Sequence, residues 1–142
     1  MFAKQISVFV QNTAGKAAEF TRILGEKNVD LMSISIADTA DFGIIRMITK
    51  DVTHAIAVAE AAGYTTVITD VIAVKVEDRP GGLADVLEAL KDHQVSVEYM
   101  YSFTRPVDGH AVIVMRVDDN INAIKALDGK AALLSQDELC RL

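Results

Sequence analysis

Apolar and polar positions alternate near the start of the chain, with Ile6, Val8 and Val10 two apart, which is the spacing of a half-buried strand. The alternation stops at Gln11-Asn12. Beyond it Ala17, Phe20, Ile23 and Leu24 lie three or four apart and predict a helix with one buried face. Leu31 to Ala37 and Ile44 to Thr49 predict two strands joined as a hairpin. An Ala-rich helix follows over Val52 to Ala62, with Asp51 placed as its N-cap and Gly63 as its stop. Tyr64 to Thr69 predicts a closing strand.

The same order then recurs. Sliding the sequence by 66 positions brings Ile6, Val8, Val10, Gly15, Ala18, Leu24 and Val29 onto Ile72, Val74, Val76, Gly81, Ala84, Leu90 and Val95. A further shift of two aligns Ile44-Ile45-Arg46-Met47 with Val112-Ile113-Val114-Met115. The second copy therefore predicts a strand over Ile72 to Val76 and a helix carrying Leu83, Val86, Leu87 and Leu90. Strands over Val97 to Phe103 and His110 to Val117 follow, then a helix over Asn120 to Leu127 between Asp119 and Gly129, and a closing strand over Lys130 to Leu134. Ser135 and Glu138 stand at capping-box spacing and predict a short terminal helix.

Strand, helix, strand, strand, helix, strand packs most economically as two helices on one face of a four-stranded antiparallel sheet. The expected fold is α+β, two tandem ferredoxin-like βαββαβ units over residues 1–70 and 71–142. A unit of this size buries a low fraction of its surface alone, so the halves are expected to pack through their sheets or their helix layers. Asp70 and Val71 leave almost no linker, which favours a fixed pseudo-twofold arrangement.

Composition narrows the chemistry. Of 142 residues 51% are apolar and 24% charged, with a formal net charge of −6. Acids outnumber bases 20 to 14, which argues against nucleic acid, where Lys and Arg must neutralise phosphates. No apolar run approaches the roughly 20 residues of a membrane span, and a cytoplasmic protein is expected. The single cysteine, Cys140, makes no intramolecular disulfide. His54, His93 and His110 have no metal-ligand spacing, and no Gly-x-Ser-x-Gly elbow is present, so no catalytic residue, metal or cofactor is assigned. Tyr99, Tyr101 and Phe103 alternate on one strand and are read as core or interface packing; Arg46 and Arg116 are read as caps of the sheet surface.

What remains is the turn between first strand and first helix, Asn12-Thr13-Ala14-Gly15-Lys16-Ala17 in one copy and Asp78-Arg79-Pro80-Gly81-Gly82-Leu83 in the other. A helix N-terminus presents unpaired N–H groups and partial positive charge, and Gly lets a ligand approach the backbone. A carboxylate suits that spot, while Asn12 or Asp78 can orient the loop or take an ammonium. Gly and Pro before a helix are also ordinary turn chemistry, so both readings stand on spacing alone.

Asp78-Arg79-Pro80-Gly81-Gly82-Leu83-Ala84, inside a repeated βαββαβ unit, resembles the signature turn of ACT domains, and the resemblance covers the whole chain as two copies. Ser35 to Gly43 also resembles the second-to-third strand turn of stand-alone tandem ACT proteins. The resemblance implies a non-catalytic regulatory protein that binds an amino acid or similar effector where the Gly turn of one unit meets an edge strand of another. It carries over to Asn12, Gly15 and Lys16, and to Asp78, Pro80, Gly81, Gly82 and Leu83; copy one departs from the pattern with Ala14 in place of Pro and with Lys16-Ala17. If second strands lie side by side, Asp30, Leu31 and Met32, or Ser96, Val97 and Glu98, are expected to face the opposite turn. The implied partners are an amino acid, a second copy in a homodimer and a regulated protein. The alternatives are an assembly module without a ligand, and a ferredoxin-like enzyme, which lacks an acid–base pair.

Overall fold

The computed structural model describes residues 2–38 and 42–142; the resembling strand turn includes Thr39, Ala40 and Asp41, which lie outside them. Copy one runs β1 (Ala3–Gln11), α1 (Lys16–Glu26), β2 (Leu31–Asp38), β3 (Phe42–Thr49), α2 (Val52–Ala61) and β4 (Thr66–Val76). Copy two adds α3 (Gly82–Asp92), β5 (Val97–Ser102), β6 (Ala111–Val117), α4 (Asn120–Leu127) and α5 (Gln136–Cys140). These are two tandem ferredoxin-like units sharing one antiparallel sheet of order β2-β3-β1-β4-β6-β5.

The sharing comes from β4. The strands expected at Tyr64 to Thr69 and Ile72 to Val76 are one strand, which pairs with β1 over Thr66 to Val71 and with β6 over Ile72 to Val76. Asp70 and Val71 are interior to it. The second expected closing strand does not form: Lys130 belongs to a turn after Gly129, whose φ is +72°, and only a bridge links Leu133 to Val74. Two bonds flank it, Lys75 N–H to Ala132 O and Leu134 N–H to Ala73 O. β1 already occupies the rest of that flank of β4, and the chain must leave at Ser135 to cap α5, so no longer ladder is possible.

The repeat holds at the level of single hydrogen bonds. Val29 N–H donates to Leu24 O and Val95 N–H to Leu90 O, while Asn28 and Gln94 take positive φ at the two helix ends. Bulges fall at Leu31/Ser33 and Val97/Tyr99. Asp51 accepts from His54 N–H and Asp119 from Asn122 N–H, as N-caps do. The residue three places after each cap then ties the helix pair together: His54 Nε2 lies 2.7 Å from Lys27 O, and Asn122 Nδ2 donates to His93 O.

Alternation along β4 divides the core. Ile72, Val74 and Val76 pack with Val86, Leu90, Met115 and Leu127 beneath α3 and α4; on the same face Ile6, Val8, Ile45 and Met47 pack with Phe20 and Leu24 beneath α1 and α2. Val71 and Ala73 point the other way and join Ala3, Met32, Ile48, Phe103, Val112, Val114 and Leu139, so the halves meet through the sheet faces opposite the helices. Gln5, fully buried, is held there: the Tyr101 hydroxyl donates to Gln5 Oε1 and Gln5 Nε2 donates to the Tyr99 hydroxyl, each at 2.8 Å. The Arg46 guanidinium lies 3.9 Å over the Tyr99 ring, and Arg116 binds Glu98 and Asp70 O.

Candidate functional site

Both Gly turns have one architecture. Gly15 and Gly81 are left-handed, with φ of +86° and +87°, and each stands just before its helix. Thr13 N–H donates to Gln11 O and Lys16 N–H to Thr13 O; in copy two Arg79 N–H donates to Glu77 O and Gly82 N–H to Arg79 O. Neither α1 nor α3 has a side-chain cap, whereas α2 and α4 each have an Asp. The turns themselves engage the N–H groups of Lys16 and Gly82, and the next N–H groups of α1 and α3 are left without a side-chain cap.

The turns differ in what surrounds them. In copy one, residues 11–15 are exposed, and Lys16 Nζ lies 3.5 Å from Glu19 Oε2. In copy two Gly82 is buried so closely that a Cβ there would sit 2.2 Å from Glu77 O. This turn borders a cleft of about 510 Å³ lined by Lys75, Glu77, Arg79, Gly82, Asp85, Val86, His110 and Lys130 to Ala132. The closing segment that fails to become a strand thereby forms the far wall.

Charge in the cleft is largely paired. Arg79 donates to Glu77 at 2.5 Å and also to Asp85 and to Pro80 O. Glu77 first, then Asp85, raise the Arg79 pKa above its ordinary value. Lys75 Nζ binds Asp108 Oδ2 at 2.6 Å, which holds the Asp108 carboxyl below the usual carboxylate range. His110 Nδ1 lies 2.9 Å from Asp108 O, so that nitrogen carries the proton and Nε2 points elsewhere. The result is a mouth with both charge signs beside uncapped N–H groups.

Of the residues singled out in sequence, Gly82 lines this cleft. Gly81 supplies the turn conformation, Leu83 packs on the core of copy two, and Asp78 and Pro80 are exposed on the turn's outer side. Asn12, Ala14, Gly15 and Lys16 make up the equivalent turn of copy one. The strand-start residues are not brought to the cleft within one chain. Leu31 and Val97 pack on the two helix-side cores, Met32 is in the sheet-to-sheet interior with its carbonyl accepting from Thr104 N–H, and Glu98 binds Arg116. Sequence reasoning missed Glu77, Asp85, His110 and Lys130. Only the charges flanking Arg79 were visible as a local signal.

Among the described residues no group of three or more His, Cys, Asp or Glu side chains has metal-binding geometry. No described helix is long and apolar enough to cross a membrane.

A family model described as an ACT domain pair matches residues 1–141. Protein BT0572 from Bacteroides thetaiotaomicron is 36% identical, with a TM-score of 0.89 over 100% of this chain and 98% of the other. The regulatory subunit of aspartate kinase from Thermus thermophilus, in its ligand-free form, matches with a TM-score of 0.63 at 14% identity over 90% of this chain and 91% of that one. Its Thermus flavus counterpart gives 0.60 at 16% identity, over 91% and 92%. These last two share the fold. No functionally curated protein matches the sequence.

Proposed function

Because the chain belongs to the ACT domain pair family, we propose that it is a non-catalytic regulatory protein that binds a free amino acid, or a similar small zwitterion, at the Gly81 turn. The observation that carries this reading is an uncapped helix N-terminus opening beside a cleft of mixed charge. The ligand's carboxylate would take the first-turn N–H groups and the Lys130 side of the cleft, and its ammonium the Glu77 and Asp85 side. A helix N-terminus contributes only about 0.3–1 kcal/mol to an exposed anion, up to about 2 when partly buried, while micromolar affinity needs about 8. A second wall is therefore required, and His110 with Lys130 to Ala132 supplies one.

Leu31, Met32, Val97 and Glu98 would join such a site only from a second copy, in a homodimer. Regulation further requires the ligand to bind two states of the protein, or of a protein partner, with different affinity, commonly by about 1–3 kcal/mol.

The test is a thermal-shift screen with the common amino acids. At 100 times its dissociation constant a ligand stabilises by about 2.7 kcal/mol, a shift of several degrees. One chemical class of amino acid should raise the melting temperature, and Lys130→Glu should abolish that rise while leaving the unliganded melt in place. A flat response from the folded wild-type protein across the whole set rejects the ligand reading and leaves the assembly-module alternative.

A further inference from the structure

The edge of β4 in copy one is built differently from the other edges. β6 hydrogen-bonds β4 at Ile72 to Val76, and its path parts from β4 near Asp70, whose carbonyl is taken by the Arg116 and Asn120 side chains. Alongside Thr66 to Thr69, on the flank away from β1, the described residues provide no strand. Thr65, Thr66, Val67, Ile68 and Thr69 are all β-branched and uncharged, and Val67 and Ile68 are 46% and 51% exposed on opposite faces of the strand.

Natural edges are normally blunted by bulges, charge or proline. The two outer strands, β2 and β5, each carry a bulge, and this inner edge carries none of these devices. The repeat adds an internal control. Sixty-six positions on, Ile68 corresponds to Leu134, which is 5% exposed, and the chain beyond it is tied down through Gln136 to Thr49 O and Lys50 O. The fold thus secures the equivalent segment of copy two and leaves that of copy one open.

We infer that Thr66 to Thr69 is a self-association edge, on which the same segment of a second copy adds as an antiparallel strand across a twofold axis. Two features select a second copy as the occupant. Antiparallel self-pairing is closed under a twofold, so each copy enters the column that the other leaves vacant. The chain carries a net charge of −6, and the segment itself is uncharged, while the carboxylates nearest to it are engaged within their own copy, Asp70 by Lys4 and Glu60 by the Thr66 hydroxyl at 3.1 Å. Phe9, 43% exposed and two residues along from Ser7, the β1 partner of Val67, extends the apolar surface on one side.

The test is sedimentation of the ligand-free full chain over a range of concentrations. Wild type should sediment as a dimer, and the Val67→Lys/Ile68→Lys double variant should dissociate at least tenfold more readily with an unchanged melting profile in the monomer range. Ile36→Lys, on the exposed outer edge strand β2, should leave the dimer intact. A wild type monomeric throughout, a dimer that survives the double substitution, or dissociation by Ile36→Lys overturns the inference. The inference is independent of the ligand: an amino-acid thermal shift kept in the double variant speaks to the Gly81 turn alone.

Discussion

Gly82→Ala tests the turn on which the site depends. The new Cβ would lie 2.2 Å from Glu77 O and 3.2 Å from Glu77 C, both backbone atoms, against 3.4–4 Å for an ordinary contact. Something must move by about 1 Å. The oxygen in the way is the acceptor of the Arg79 N–H bond at 2.9 Å, and Gly82 N–H itself donates to Arg79 O at 3.0 Å, so relief of the clash loosens both bonds. Overpacking costs about 1–3 kcal/mol and each loosened bond up to about 1, so a loss of about 2–3 kcal/mol is expected. For a chain of this size that is a fall in melting temperature of roughly 6–12 °C by calorimetry. Copy one provides the control: Lys16 occupies the equivalent position with a side chain in place, and its N–H bond to Thr13 O is longer, 3.3 Å. Lys16→Gly should therefore cost less than about 1 kcal/mol, the ordinary glycine effect in a helix. A Gly82→Ala protein within about 0.5 kcal/mol of wild type, or a Lys16→Gly loss as large as that of Gly82→Ala, would refute the reasoning.

Other consequences follow from the same contacts. Tyr101→Phe leaves Gln5 Oε1 buried without its donor and should cost about 1–3 kcal/mol in denaturant unfolding. The Tyr101 phenol is raised above its ordinary range first by burial and then by Tyr99, so its contribution is complete below about pH 10, where the unfolded phenol ionises, and is lost as pH rises beyond; the alkaline loss should shrink in Tyr101→Phe. Asp108 is lowered by Lys75, so that ion pair stabilises above the ordinary carboxylate range near pH 4 and fades as pH falls through the depressed value; Asp108→Asn should flatten that part of the acid limb. Ser135→Ala removes a complete capping box and should cost about 0.5–2 kcal/mol, seen as early proteolysis of the C-terminal segment that carries the buried Leu139.

Periodicity and punctuation made most of the elements legible, because each helix pairs an apolar stripe with a turn or cap at its start and each strand alternates. Fusion of two expected strands into β4 was hidden by Asp70 and the threonines, which look like an interruption although the strand itself runs unbroken from Thr66 to Val76. Lys130 to Leu134 looked like a strand because Leu133 and Leu134 are apolar. Whether such a segment forms a ladder depends on the flank it meets, and β1 holds most of that flank. The cleft was illegible for a related reason: its walls come from residues 75–86, from His110 and from residues 130–132, which the folded sheet alone brings together. The Gly turns were legible because glycine at φ near +86° before a helix is a local requirement written in the residue itself.

Duplication also explains why the halves need not do the same work. Copy two keeps the Gly-Gly turn, where backbone approaches backbone and a cleft opens, while copy one has Lys16 in that place, engaged by Glu19. Copy one keeps the bare edge that copy two has tied down. The two distinctive features stand at opposite ends of one strand: the Gly81 turn follows Val76, and the open edge begins at Thr66, roughly 33 Å away at the usual rise per residue. β4 is paired along its whole length and packed on both faces over Val71 to Val76, so it cannot bend at one end without disturbing both cores. Any coupling between ligand and assembly would therefore travel as a shift of the whole strand, and it would have to be reciprocal. An amino acid that tightens the dimer must bind the Val67→Lys/Ile68→Lys monomer more weakly by the same factor, and equal affinities would place the two features on one strand with no regulatory link between them.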